Sequence, residues 1–194
     1  MKTAGRTVVV LCATIGWLAG CGHGGDSTAT STLTSPSSTG VHTTWTRPDA
    51  PPDPHNLIHA GSVALAAVPG GKLTSVKSQE TGSWRVLVAT PDGTNQAMDV
   101  SSDGATLMVG PTPANQSDAD KAETRALVQA ARLDYRAAAE KILAIIAGAS
   151  ISALELDDSN GATVWQAVAW DTFIVEHQVT IDAATGNVIA NKQL

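Results

Sequence analysis

The sequence predicts an α+β fold made of two tandem repeats, each with one or more helices packed on one face of a small antiparallel β-sheet. One apolar pattern occurs twice along the chain. In both copies a segment with helical spacing ends at a glycine, and short alternating segments separated by turn residues follow it. Strands joined by short turns, with helices collected on one face, are typical of the α+β class.

The repeat appears when two parts of the chain are aligned. Segment 65–76 lies over segment 143–154 with its apolar positions and one glycine coinciding at a separation of 78 residues. Further on, Trp84 aligns with Trp165 at a separation of 81. A three-residue difference in one loop accounts for the increase in separation from 78 to 81 residues. We therefore expect two copies of one unit. The first copy is expected at 54–112 and the second at 113–194.

The second copy carries clear helix signals. Ser117 and Asp120 resemble a capping box and predict the start of one helix. Asp134 caps the next helix, and Gly148 ends it. We expect the earlier helix to bury a stripe of Ala122, Ala126, Leu127, Ala130 and Leu133. Strands are then expected at 151–156, 163–170, 173–181 and 187–190, with a turn over 157–161.

The first copy has the same order of elements. A helix is expected at 56–68, before the glycine at position 70. Strands are expected at 72–79, 83–90, 95–100 and 106–109, with turns at Pro91-Asp-Gly93 and Ser102-Asp-Gly104. The polar stretch from Gly110 to Asp118 is expected to join the two copies.

The start of the chain has the plan of a lipoprotein signal. Lys2 and Arg6 precede a short apolar run, and Leu18-Ala-Gly-Cys21 forms a lipobox. The run is shorter than the roughly 20 apolar residues that a membrane span needs. We therefore expect residues 1–20 to be removed and Cys21 to carry acyl chains, palmitate among them, that anchor the protein on the extracytoplasmic face of the cell membrane.

Residues 21–53 are expected to form a flexible tether, because Ser, Thr, Gly and Pro dominate this segment. Loss of Lys2 and Arg6 leaves 10 basic and 18 acidic residues, a mature charge of −8 (10 − 18). This acidic balance argues against nucleic acid as a partner, because phosphate backbones favour basic patches.

The end of the chain resembles a known family. The helix, the glycine, the strand, the hairpin and the closing segment Val179-Thr-Ile-Asp182-Ala-Ala-Thr-Gly186 are similar to the PepSY domain. The resemblance covers about 134–192 and extends more weakly to about 56–110, where Val100-Ser-Ser-Asp103-Gly104 lacks the alanine and threonine. It implies a bacterial envelope protein that restrains or regulates a peptidase.

The sequence shows no enzyme site and implies no cofactor. His55 and His59 are four residues apart, but no glutamate joins them in a metalloprotease motif, and we interpret them as solvated residues at a helix entrance. His177 is expected on the apolar face of its strand, without a nucleophile placed to use it. Asp157, Asp158 and Asp171 are expected to bond their own turns.

Three tryptophans are the candidate partner-binding residues: Trp84, Trp165 and Trp170. Trp165 and Trp170 are separated by an odd step and should face opposite sides of the sheet. An exposed indole would be a candidate binding hot spot, whereas packing between the repeats would bury it.

Two function classes remain open. The first is a lipid-anchored, non-enzymatic binding or regulatory protein whose partner is an envelope protein or a peptidase. The second is a lipoprotein that carries a small apolar ligand between helices and sheet. An elongated pocket with apolar walls would favour the carrier, and a closed core with an exposed aromatic patch would favour the binding protein.

Overall fold

A computed structural model describes residue 53 and residues 55–194, which form three helices and one eight-stranded antiparallel sheet. The α+β class is confirmed. The elements are α1 (Asn56–Ala67), β1 (Lys72–Ser78), β2 (Trp84–Ala89), β3 (Asn95–Val100), β4 (Leu107–Pro113), α2 (Asp118–Ala130), α3 (Tyr135–Ile145), β5 (Ser150–Ser159), β6 (Ala162–Trp170), β7 (Glu176–Asp182) and β8 (Val188–Gln193).

The two repeats share this sheet. Its strand order is β4-β3-β2-β1-β5-β6-β7-β8, so each repeat contributes four consecutive strands. The repeats meet where β1 pairs with β5, with Val76 opposite Leu154. Two small sheets were expected, and the structure instead joins them edge to edge. This pairing covers a strand edge of each repeat that would otherwise be open to other chains.

The strand registers agree with the sequence repeat. Val76 lies opposite Val86 in the first copy, and Leu154 lies opposite Ala167 in the second. The second hairpin therefore spans three more residues between equivalent positions, which is the difference that the alignment requires.

The core lies on the helix-covered face of the sheet. One row of side chains crosses six strands and both repeats, and each of its members is at most 2% exposed. The row continues into the buried residues of α1 and α3, so a single apolar cluster serves both repeats. In strand order its members are Met98, Val86, Val76, Leu154, Ala167 and Val179.

The predicted helix caps are present. The Ser117 side chain accepts a hydrogen bond from the Asp120 N–H, and the Asp120 carboxylate accepts one from the Ser117 N–H, which completes the capping box. Asp134 caps α3 by accepting a hydrogen bond from the Ala137 N–H at 2.8 Å.

The predicted stripe of α2 is confirmed at Leu127 and Leu133, which pack against the core, and is wrong at its three alanines. Thr124 is its buried residue, with Leu127 and Val128 partly buried beside it. The residues at 122, 126 and 130 are exposed alanines. The helix packs against β2 and β5 in the middle of the sheet and against the loop that follows β2, and it does so through a narrow face.

Four strand boundaries differ clearly from the expectation, and one of them is the end of β8, which lies at Gln193 instead of position 190. Strand β5 continues through Asp157 and Asp158 to Ser159, so the turn contains only Asn160 and Gly161. Strand β4 extends into the predicted linker as far as Pro113. Strand β7 begins at Glu176 instead of position 173.

Candidate functional site

Two of the three candidate tryptophans are buried. Trp84 is 2% exposed and Trp165 is 1% exposed, at equivalent places in the two repeats. The Trp84 indole N–H donates to the Ser102 carbonyl at 3.1 Å, and that of Trp165 donates to the Leu133 carbonyl at 3.0 Å. Both rings fill the core and neither is available to a partner, because their strands place them on the helix-covered face.

Trp170 lies on the opposite, open face of the sheet and is partly exposed. Its indole N–H donates to the Ser152 hydroxyl at 3.2 Å. Directly opposite on β7 lies Glu176, also partly exposed. The expectation that Trp165 and Trp170 face opposite sides is confirmed, and Trp170 is the accessible member of the candidate set.

The open face around Trp170 is polar. Its charged side chains pair across strands: Lys77 Nζ lies 2.7 Å from Glu155 Oε2, and Arg85 donates to Asp99 at 3.1 Å. The Lys77–Glu155 pair crosses the junction of the two repeats. Such exposed ion pairs add little to the stability of the fold.

A loop that begins directly after Trp170 completes the candidate site. We name residues Asp171–Val175 the Phe173 loop. The Asp171 carboxylate accepts hydrogen bonds from the N–H groups of Phe173 at 2.8 Å and Val175 at 2.9 Å, and it lies 3.3 Å from His177 Nε2. The hydrogen bond from the Val175 N–H, together with those from His177 and Phe173, lowers the pKa of Asp171. The turn role expected for Asp171 is confirmed.

The Phe173 loop presents an aromatic ring to solvent. Phe173 is 82% exposed, and Ile174 has a φ of +60°, a conformation that β-branched residues rarely adopt. A strand was expected at 173–181 because Phe-Ile-Val is typical of the start of a strand, and the loop at this position was therefore not predicted. The repeat itself contained the signal, since the separation of 81 residues aligns these positions with the turn Thr90–Thr94.

The other candidate polar residues do not form a reactive cluster. His55 and His59 are both exposed at the start of α1. Within residues 55–194 no three His, Cys, Asp or Glu side chains are grouped so that they could hold a metal ion. Asp157 accepts a hydrogen bond from Gln166, and Asp158 accepts one from the Gly161 N–H. These carboxylates support a hairpin.

Two small cavities lie between α2 and the start of β1. One has a volume of about 180 Å³ and is lined by apolar groups such as Leu65, Leu73 and Trp165. The other has a volume of about 230 Å³ and is lined by Val128 and Pro91 among others. Both are smaller than the roughly 300–1,000 Å³ of typical ligand pockets. Their small volume does not favour the alternative in which the protein carries a small apolar ligand.

The predicted signal peptide, Cys21 and the predicted tether up to residue 52 lie outside the described residues. No helix in the described part of the chain is both long and apolar enough to cross a membrane.

Comparisons with known proteins give one structural match. Neither a protein-family model nor a curated protein matches the chain. The crystal structure of a putative lipoprotein (CD1622) from Clostridium difficile 630 is similar with a TM-score of 0.44 and 12% sequence identity, over 69% of this chain and 89% of that chain.

Proposed function

We propose that the protein is a lipid-anchored, non-enzymatic binding protein on the extracytoplasmic face of the cell membrane. The observation that carries the binding role is the open sheet face that ends at Trp170 and the exposed Phe173. Tryptophan is one of the residues that are enriched among protein-binding hot spots. The lipobox at Leu18–Cys21 supports the anchor.

The anchor is tested by the variant Cys21→Ala. We expect this variant to leave the membrane fraction, because acyl chains on Cys21 would provide the membrane affinity. Fractionation with immunodetection measures the outcome, with Cys12→Ala as the matched control inside the predicted signal peptide. If the Cys21 variant stays in the detergent-soluble membrane fraction while the control behaves like wild type, the lipid anchor is excluded.

In this proposal an envelope protein binds the open face of the sheet. The resemblance to PepSY domains supports a peptidase as that partner, with its activity restrained by this protein. The sequence, in which no serine or cysteine is placed to use His177, supports the non-enzymatic role, and so does the Asp171 carboxylate, which is bonded within its own turn. Purified protein should turn over no generic ester, peptide or phosphate substrate, and it should change the activity of its peptidase partner. Hydrolysis that survives repeated purification would exclude the non-enzymatic role.

The binding surface is tested by Trp170→Ala. Cross-linking in intact envelopes identifies the partner, and titration calorimetry then measures its affinity. We expect the variant to bind the partner more weakly by about 2 kcal/mol, with little change in melting temperature, because the ring is partly exposed. Glu140→Ala, an exposed position on α3 at the other face of the sheet, is the control. Equal affinity for wild type and both variants would remove this face as the site.

A further inference from the structure

Strand β4 forms one edge of the sheet and carries an exposed apolar patch. Met108 is 60% exposed and Val109 is 55% exposed, and we name these two residues the β4 patch. The strand pairs with β3 on one side and with no described strand on the other. Pro111 and Pro113 lack an N–H, so another strand could pair only with residues 107–110. The edge is thus open next to the β4 patch and blocked beyond it.

The described chain begins beside the same strand. The first turn of α1 packs on the turn between β3 and β4, where a Cβ added to Gly104 would lie 2.5 Å from the Asn56 carbonyl oxygen. Asp53 is fixed at this helix start, because its carbonyl accepts a hydrogen bond from the Asn56 N–H at 3.1 Å and its carboxylate accepts one from the His55 N–H at 2.9 Å. Strand β4 leads away from that turn, so a segment that arrives at Asp53 from the edge runs antiparallel to β4.

The residues before Asp53 include a short segment with the composition of a strand. Thr43-Thr-Trp-Thr46 consists of β-branched and aromatic residues, which favour strands, and Pro48 ends the segment. Trp45 is the single aromatic residue between the lipobox and α1. The segment therefore offers both a backbone that can pair with an edge and one large apolar side chain.

The length of the connection selects the edge that this segment reaches. The eight residues 46–53 include three prolines and span about 25 Å in an extended polyproline conformation. A second exposed apolar pair, Val188 and Ile189, lies on β8 at the far edge of the sheet. That edge is seven strand spacings, or about 33 Å, from β4. Trp45 can thus reach the β4 patch but not the apolar pair on β8.

Charge at the end of β4 favours the same arrangement. The Asp103 carboxylate accepts hydrogen bonds from the Ser101 hydroxyl and the Ala105 N–H, and these bonds lower the pKa of Asp103. This carboxylate is exposed and has no ion pair among the described residues. Arg47 is the single arginine or lysine between Cys21 and Asp53. A segment that runs antiparallel to β4 brings Arg47 to the turn that carries Asp103.

We propose that Thr43–Thr46 adds to β4 of its own chain as a ninth, antiparallel strand. Trp45 lies opposite Met108 and covers the β4 patch, Thr44 lies opposite Val109, and the guanidinium of the following arginine pairs with Asp103. The predicted tether then ends at residue 42, and the β4 edge is closed to other chains. This inference does not rest on the binding role proposed for the open face of the sheet.

Oxidation of Met108 tests whether the β4 patch is covered. The purified full-length chain is treated with hydrogen peroxide, and mass spectrometry follows sulfoxide formation, with Met98, which is 1% exposed, as the buried reference. We expect Trp45→Ala to raise the oxidation rate of Met108 about fivefold or more, because the indole no longer shields the sulfur. Leu33→Ala, a matched apolar change earlier in the predicted tether, should leave the rate unchanged.

Two results of this experiment would overturn the proposal. Equal Met108 oxidation rates in wild type and in Trp45→Ala would show that Trp45 does not cover the patch. Protection of Met108 that increases with protein concentration would show that a second copy covers it instead.

A pair of cysteines tests the strand pairing itself. Directly opposite residues in an antiparallel pair have Cα atoms about 4.5–5.5 Å apart, a separation that a disulfide spans. In a chain with Thr44→Cys and Val109→Cys we expect mild oxidation to form a bond within one molecule. Adding Trp45→Ala should slow its formation about tenfold, because the undocked segment has a lower effective concentration at the edge.

The Trp45→Ala step separates docking from mere proximity along the chain. A rate of disulfide formation that Trp45→Ala leaves unchanged would show that the short connection to α1 alone brings the cysteines together. That result, the absence of a bond, or a bond between two molecules would overturn the ninth strand.

Discussion

Tyr135 joins the two repeats through one buried hydrogen bond. Its side chain is 5% exposed, and its hydroxyl donates to the Ile58 carbonyl of α1 at 3.0 Å. We expect Tyr135→Phe to lower the free energy of unfolding by about 1 kcal/mol, because the ring remains packed and one net hydrogen bond is lost. Urea denaturation measures the change. Glu140→Ala, an exposed change on the same helix, should stay within about 0.5 kcal/mol of wild type.

The same hydroxyl makes stability depend on pH in the alkaline range. Burial raises the pKa of Tyr135 above its usual value of 10.0. The folded state then retains a proton that the unfolded chain loses, so stability should fall as the pH rises above about 10. Tyr135→Phe should reduce this slope. Tyr135 is the single tyrosine, so absorbance of tyrosinate reports its titration directly, and a midpoint at or below 10 would contradict the burial effect.

At the scale of elements, α1 and α3 pack closely because α1 has a glycine at their crossing. A Cβ added to Gly61 would collide with the Tyr135 ring. Alanine normally stabilises a helix interior by up to about 1 kcal/mol relative to glycine. We expect the opposite sign here: Gly61→Ala should destabilise the fold by about 1–3 kcal/mol through overpacking.

Thermal unfolding measures this effect, with Ser62→Ala as the control on the exposed side of α1. The control should be neutral or slightly stabilising. A more stable Gly61→Ala variant would mean that Tyr135 can move without cost, and the close crossing would then contribute little to the joining of the repeats.

Local signals predicted most elements, and non-local contacts explain the errors. The caps at Ser117 and Asp134 depend on neighbouring residues, so the sequence was sufficient to find them. Which side of α2 is exposed depends on how the helix packs against β2 and β5, and no local pattern encodes that packing. The pairing of β1 with β5 joins residues 78 apart, from Val76 to Leu154, and periodicity alone does not specify a partner strand.

The candidate site was predicted in part for the same reason. Alternation along β6 was enough to place Trp165 and Trp170 on opposite faces. Phe173 was assigned to a strand because its apolar neighbours favour one. The turn depends on the Asp171 carboxylate, which accepts N–H groups that a strand would otherwise pair. Such a loop can be predicted from the sequence when the two repeats are aligned at their turns as well as at their apolar positions.

At the scale of the whole molecule, the repeats share one core and one sheet. The buried cluster includes residues of α1, α3 and six of the eight strands, and it continues across the junction of the repeats. Residues 55–194 accordingly belong to one compact unit. A duplicated sequence has thus produced a fold in which each half covers an edge and part of the core of the other.

The last prediction follows from that shared core. The fragment 54–194 should unfold in one cooperative transition, whereas residues 114–194 alone should not fold cooperatively, because separation exposes the β5 edge and removes the α1 contacts of Tyr135. Calorimetry of the two fragments measures this, with equality of calorimetric and van't Hoff enthalpies as the criterion. Two resolved transitions in the longer fragment, or a sharp transition in the shorter one, would show that the repeats are independent domains joined only by their sequence.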